Sequence, residues 1–242
     1  MTPLEQIRQL VNTTLVRSHI NVVEDWLRQR PGSMVIDIGA NTGGFVQAWL
    51  DNGASVVHAF EPVPQWFSRL DHRFQHDSRV FANRVAISDK ISTVTGAQIL
   101  GCHTLADPAK VKMDVALEDT GAFDFDTTTV DVYVKNNAIT KLDLIKLDVD
   151  GYEPQAVRGM RHTLSYLRPL LMIELSFLPI RLGESVERMI MQLYDQDYKL
   201  CTMDREVCDD PLIVLEAFPW RTSFDMVAVP VEHITLGWPR IR

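Results

Sequence analysis

Cysteine is scarce in this chain. There are three in 242 residues, Cys102, Cys201 and Cys208, odd in number and without a C-x-x-C pair. That argues against a disulfide framework or a zinc ribbon and makes a reducing cytoplasm the expected compartment. No apolar run approaches the roughly eighteen residues of a membrane span. The opening Met1-Thr2-Pro3-Leu4-Glu5 lacks a basic n-region and an apolar h-region, so a signal peptide is not expected. Positive charge is also in short supply: 24 Lys and Arg stand against 32 Asp and Glu, for a net charge of −8. With no dense Lys/Arg run, duplex nucleic acid is not an expected partner. What remains is ordinary for a soluble globular protein, 46% hydrophobic and 23% charged, with no internal repeat or low-complexity tract. One domain over residues 1–242 is the simplest division.

Apolar side chains at Ile7, Leu10, Val11, Leu15, Val22, Trp26 and Leu27 recur at helical spacing across residues 4–30, ended by Pro31-Gly32. They predict an N-terminal helical extension (1–31) packed on the core edge, with a lid or a homodimer contact as alternatives. Strands are then predicted at 34–38, 55–60, 79–83, 142–148, 170–175, 198–203 and 224–229. Helices are predicted near 43–51, 64–74, 153–166 and 184–195. Alternating strands and helices imply a mainly parallel sheet covered on both faces, with ligands at the strands' carboxyl ends. Asp37, Glu61, Asp148 and Glu174 all fall at or near such ends. Residues 84–141 break the rhythm. Strand-like runs at Ile91 to Thr95 and Thr127 to Val134 flank an irregular 98–122, together read as a β-excursion and loop insert. His103 in that stretch is a loop histidine that could serve as a base but more often only meets solvent.

Two motifs carry chemistry. The first is Val35-Ile36-Asp37-Ile38-Gly39-Ala40-Asn41-Thr42-Gly43-Gly44-Phe45, followed about twenty residues on by Phe60-Glu61-Pro62. An apolar strand, a glycine turn, a helix and a second strand ending in an acid suit a nucleoside cofactor whose ribose diol meets the carboxylate. The order G-A-N-T-G-G is not the G-x-G-x-x-G of dinucleotide sites. Asp37 also puts negative charge where a pyrophosphate would want none and an ammonium would want it. S-adenosylmethionine fits better than NAD. Trp66 and Phe67, on the helix after Glu61, are expected in core or adenine-flanking packing.

The second motif, Leu142-Asp143-Leu144-Ile145-Lys146-Leu147-Asp148-Val149-Asp150-Gly151-Tyr152-Glu153-Pro154, is more specific. Period-two alternation puts Lys146, Asp148 and Asp150 on one face of a strand expected to be buried on both, which is costly unless the charges are paired or functional. Gly151 turns the chain into a helix with Glu153 at its favourable N-terminal end.

With these motifs, Asn83-Arg84-Val85-Ala86-Ile87-Ser88-Asp89, Thr128-Thr129-Val130-Asp131, Gly159 and the Leu170–Glu174 strand stand in the order and spacing of one family. The chain resembles the FkbM family of S-adenosylmethionine-dependent methyltransferases over roughly residues 34–175. Asp150 departs from the pattern, since the family more often has Glu there. The resemblance implies a class I methyltransferase (Rossmann-like) α/β three-layer sandwich: a seven-stranded, mostly parallel sheet with an antiparallel last strand. It implies methyl transfer, most often to a hydroxyl of a sugar, glycan or natural product. It places Asp37 and Gly39 along the methionine part of the cofactor, with Asn41 and Gly43 also among the cofactor-binding residues. Glu61 falls on the ribose hydroxyls, and Asn83 or Ser88 near adenine. Asp148 is the expected catalytic base, with a structural partnership to Lys146 or the cofactor ammonium as the equal alternative. Asp148, Asp150 and Glu174 could supply oxygen ligands to Mg²⁺, though their spacing does not demand a metal. The competing functions are an NAD-dependent oxidoreductase and a cofactor-binding protein that has lost catalysis.

Overall fold

The computed structural model describes residues 21–98, 105–106, 123–217, 223–236 and 238. His103, Cys102 and the expected helix before residue 21 lie outside these. The elements are α1 (Asn21–Arg28), β1 (Ser33–Ile38), α2 (Gly44–Asp51), β2 (Ala54–Phe60), α3 (Pro64–Phe74), β3 (Val80–Asn83), β4 (Ala86–Ile87), β5 (Ser92–Gln98), β6 (Leu105–Ala106) and β7 (Phe123–Thr128). They continue with α4 (Val130–Asn136), β8 (Leu144–Leu147), α5 (Glu153–Arg158), α6 (Arg161–Leu167), β9 (Leu170–Leu175), α7 (Leu178–Arg181) and α8 (Val186–Asp195). The chain then forms β10 (Tyr198–Cys201), β11 (Val207–Cys208), α9 (Pro211–Ala217), β12 (Phe224–Pro230) and α10 (Val231–Thr235).

The main sheet runs β11-β10-β12-β9-β8-β1-β2-β3. β3, β2, β1, β8 and β9 are parallel neighbours, and β12 inserts antiparallel between β9 and β10. This is the expected class I methyltransferase architecture with one addition. The two-residue β11 hairpins onto β10, making eight strands instead of seven.

Alternation along the central strands feeds two cores. Ile36, Ile38, Ile145 and Leu147 face the side covered by α5, α6 and α8, where Val157, Leu164 and Ile190 close the layer. Val35 and Leu144 face the other side, packed with Trp26, Trp49 and Leu70 from α1, α2 and α3. The chain turns outward in opposite directions from β1 and β8. That pair is therefore the topological switch point, where a crevice opens at the carboxyl ends.

Two local expectations are corrected. The strand expected at Thr127 to Val134 is instead the end of β7 followed by a helix, because the Thr129 hydroxyl accepts the Val132 N–H at 3.0 Å and caps α4. The β-branched valines suggested strand; the cap decided otherwise. The helix expected over 153–166 is broken at Gly159–Met160 into α5 and α6. At Gly159 a Cβ would sit 2.0 Å from the Ser88 carbonyl oxygen, and the Gly159 carbonyl accepts the Asp131 N–H at 3.0 Å. In the excursion, β4, β7, β5 and β6 form a small second sheet beside the crevice.

Candidate active site

Asp37 and Lys146 are direct partners in the parallel register of β1 and β8, so their side chains emerge on the same face. Both are buried, Asp37 at 0% and Lys146 at 2% exposure. The Lys146 ammonium donates to the Gly39 carbonyl at 3.0 Å and pairs with Asp148 Oδ2 at 3.1 Å and Asp37 Oδ1 at 3.8 Å. It also lies 4.9 Å from the centre of the Phe45 ring. Trp49 Nε1 donates to Asp37 Oδ2 at 3.2 Å. Burial raises the Asp37 carboxyl to about 6 against the pull of Lys146. Burial alone would lower Lys146, but Asp148 and Asp37 outweigh it and hold the ammonium above its ordinary value.

Gly39, Asn41 and Gly43 all sit at positive φ, so the β1–α2 turn is a left-handed one. At Gly39 the requirement is absolute: a Cβ would lie 1.9 Å from the Asp148 carbonyl oxygen. The turn is tied to β2 through Glu61, whose Oε2 accepts the Asn41 N–H at 2.9 Å and whose Oε1 accepts the Val63 N–H at 2.8 Å. Glu61 is buried, and that burial raises its carboxyl to about 7. β8 ends at Leu147, and residues 148–151 form a turn with Asp150 at φ 49°. Asp150 thus leaves the strand face it was expected to share. Glu153, fully buried, holds this turn by accepting from Val149 N–H at 3.0 Å and Gly151 N–H at 2.9 Å.

These pieces surround a cavity of about 680 Å³ at the switch point, in the range of sites that hold drug-sized ligands. Gly39, Asn41, Glu61, Ser88 and Asp148 line it, as do Lys146, Asp150 and Glu174. Three expected site residues do not line it. Asp37 lies behind Lys146. Gly43 packs under α3, where a Cβ would meet Phe74 at 2.4 Å. Asn83 spends its amide on the carbonyls of Ala59, at 3.2 Å, and Phe81, at 2.8 Å. Trp66 and Phe67 are outside the lining too. Trp66 lies under the Arg69 guanidinium, 4.8 Å away, and Phe67 joins the core beneath α3.

Asp148, Asp150 and Glu174 each bring a carboxylate oxygen within 4.8 Å of the others. Burial, then Asp148, pushes Glu174 up to about 8. Asp225 stands opposite Glu174 in the β9–β12 register and is raised to about 6, mainly by burial. Sequence reading passed over Asp225, although an acid in the otherwise apolar Phe224–Pro230 was a signal. It also passed over Arg158. That guanidinium reaches Asp89 Oδ2 at 2.8 Å and Glu184 Oε2 at 2.9 Å and clasps two sides of the cavity mouth.

The sequence model of the family described as Methyltransferase FkbM domain matches residues 37–200. The chain belongs to this family. A curated relative, 31-O-demethyl-FK506 methyltransferase FkbM of Streptomyces tacrolimicus, is 29% identical over 158 residues, covering 54% of this chain and 60% of the relative. This chain therefore matches about 60% of that relative's length. Among solved structures, methyltransferase FkbM of Methylobacillus flagellatus KT aligns with a TM-score of 0.51 at 13% identity, over 93% of this chain and 57% of that one. At that identity the likeness is one of fold. Membership of this family brings S-adenosylmethionine as cofactor. The residues present fit it. The glycine turn is flanked by Glu61 and Asp148, which suit ribose hydroxyls and cationic centres and would repel a pyrophosphate.

Proposed function

We propose that the protein transfers the methyl group of S-adenosylmethionine to a hydroxyl of a small molecule, a sugar, glycan or natural product. The observation that carries this reading is the Asp148 carboxylate at the wall of the switch-point cavity, tied through Oδ2 to Lys146 and 37% exposed toward that cavity. S-adenosylmethionine supplies an electrophilic methyl when bound. Glu61 would hold its ribose hydroxyls, and the Gly39–Asn41 turn and Ser88 would line it. Asp148 would receive the proton of the acceptor hydroxyl as its oxygen attacks, since a neutral alcohol is a poor nucleophile. Orientation of the two reactants contributes up to about 7–11 kcal/mol in favourable cases. The relative named for 31-O-demethyl-FK506 supports a hydroxyl on a natural product as acceptor.

Calorimetric titration with S-adenosylmethionine, S-adenosylhomocysteine and NAD tests the cofactor. Binding of the first two is expected, and binding of NAD alone would overturn the reading in favour of an oxidoreductase. Methyl transfer to a panel of hydroxylated natural products and sugars then tests the acceptor. Cofactor binding without transfer to any acceptor supports the inactive-binder alternative. Asp148→Asn is expected to lower turnover by about 10²–10⁴-fold with cofactor still bound; unchanged turnover removes the base.

A further inference from the structure

Sequence motifs put Asp37 against the cofactor, but the fold puts Lys146 between Asp37 and the cavity. Lys146 is the residue with reach to all the parts: the Gly39 carbonyl of the cofactor turn at 3.0 Å, Asp37 behind it at 3.8 Å and Asp148 in front at 3.1 Å. The Lys146 side chain is buried while that of Asp148 is 37% exposed. One carboxylate of the trio therefore faces the ligand space, and the ammonium holds one of its oxygens. Ionised together, Asp37, Lys146 and Asp148 carry two negative charges and one positive, leaving a single net negative charge on the trio.

We propose that Lys146 is a positioning residue that presents the Asp148 carboxylate to the sulfonium of the methyl donor, with Asp37 serving to anchor Lys146 and not the cofactor. This rests on the methyltransferase reading above. The donor and its demethylated product differ by the sulfonium's positive charge. A fixed carboxylate at this wall favours the donor over the product, through a charge–charge term that depends steeply on distance in a partly desolvated site. Lys146 thereby adds selectivity for the charged form of the cofactor, which also helps the spent product leave.

The test is the ratio of affinities for S-adenosylmethionine and S-adenosylhomocysteine, measured by calorimetry on the full chain at pH 7.5. It needs no acceptor. General loss of structure weakens both ligands together, so the ratio isolates the positioned charge. Lys146→Met alone leaves Asp37 buried without its counter-charge and is liable to unfold. The decisive variant is therefore Asp37→Asn with Lys146→Met, which removes both buried charges and keeps the trio's net charge. Its fold is checked by circular dichroism and melting. We expect this double variant to lower the preference for S-adenosylmethionine by about tenfold, the scale of one hydrogen bond to a charged group. Asp148→Asn is expected to do the same. If the double variant keeps the wild-type preference while Asp148→Asn loses it, Lys146 merely neutralises Asp37 and the proposal is wrong. Wild-type protein that binds neither ligand overturns the methyltransferase reading itself, and this inference with it.

Discussion

At the scale of single residues, the site depends on places where no alternative side chain fits. Gly39 combines φ of 80° with a Cβ position 1.9 Å from the Asp148 carbonyl. Gly39→Ala should cost about 1–3 kcal/mol in backbone strain alone. The clash comes on top and pushes the end of β8 away from the turn. The expected outcome is a lowered denaturation midpoint together with loss of S-adenosylmethionine binding in calorimetry. A variant that kept wild-type affinity would mean that the turn and β8 can separate without harm to the site. Glu61 is a second such residue, because its two oxygens already serve the Asn41 and Val63 N–H groups. Glu61→Ala leaves both donors unpaired, at about 1–3 kcal/mol each. It should therefore lower melting temperature even without cofactor, which a purely ligand-binding role would not do. Differential scanning calorimetry on the ligand-free protein distinguishes the two.

At the scale of elements, caps and turns decide what alternation and propensity leave open. Thr129 converts a valine-rich stretch into α4 by accepting one N–H. Thr129→Ala should cost about 1 kcal/mol, read as a lower urea midpoint with unchanged slope. Glu153 does the same work for the turn that carries Asp148 and Asp150, since its carboxylate collects the Val149 and Gly151 N–H groups from a fully buried position. Glu153→Ala should therefore reduce cofactor affinity through the turn, although nothing puts Glu153 in the cavity lining. The β1–α2–β2 unit and the β8–α5 turn were legible beforehand, because glycine, proline and acid punctuation sit at fixed offsets from apolar runs. The break between α5 and α6 was not. It comes from Ser88, some seventy residues earlier in the chain, whose carbonyl occupies the space beside Gly159.

At the scale of the whole molecule, the carboxyl ends of the strands gather acids that are then buried by the layers above and below. Asp37 and Asp225 are raised to about 6, Glu61 and Glu153 to about 7 and Glu174 to about 8, burial being the largest cause for each. Each binds its proton more tightly folded than unfolded. Their contribution to stability is thus complete below the ordinary carboxylate range and is lost as pH rises through about 6 to 8. Glu232, held down to about 2 by Arg168, works the other way: its contribution is present above the ordinary carboxylate range and lost as pH falls toward 2. The ligand-free protein should accordingly melt at its highest temperature near about pH 4 and at lower temperatures toward about pH 8. Glu174→Gln, which keeps the shape and cannot ionise, should flatten that decline. A melting temperature that rises steadily from pH 5 to 8 would contradict the burial of these groups. None of the described helices is long and apolar enough to cross a membrane.

The sequence by itself determined the class of fold, because that depends on local signals: a strand period, a glycine turn, an acid about twenty residues on; its motifs also carried the resemblance to the family. It also flagged Lys146 and Asp148 as charges in the wrong place for a buried strand. Only the tertiary structure decided which charges meet. Asp37 and Lys146 are 109 residues apart and become neighbours through the β1–β8 register, while Asp225 reaches Glu174 through an antiparallel strand inserted last. Register and strand order are set by packing across the whole sheet, and no local window contains them. That is why Asp37 reads as a cofactor ligand in the sequence and lies behind Lys146 in the fold.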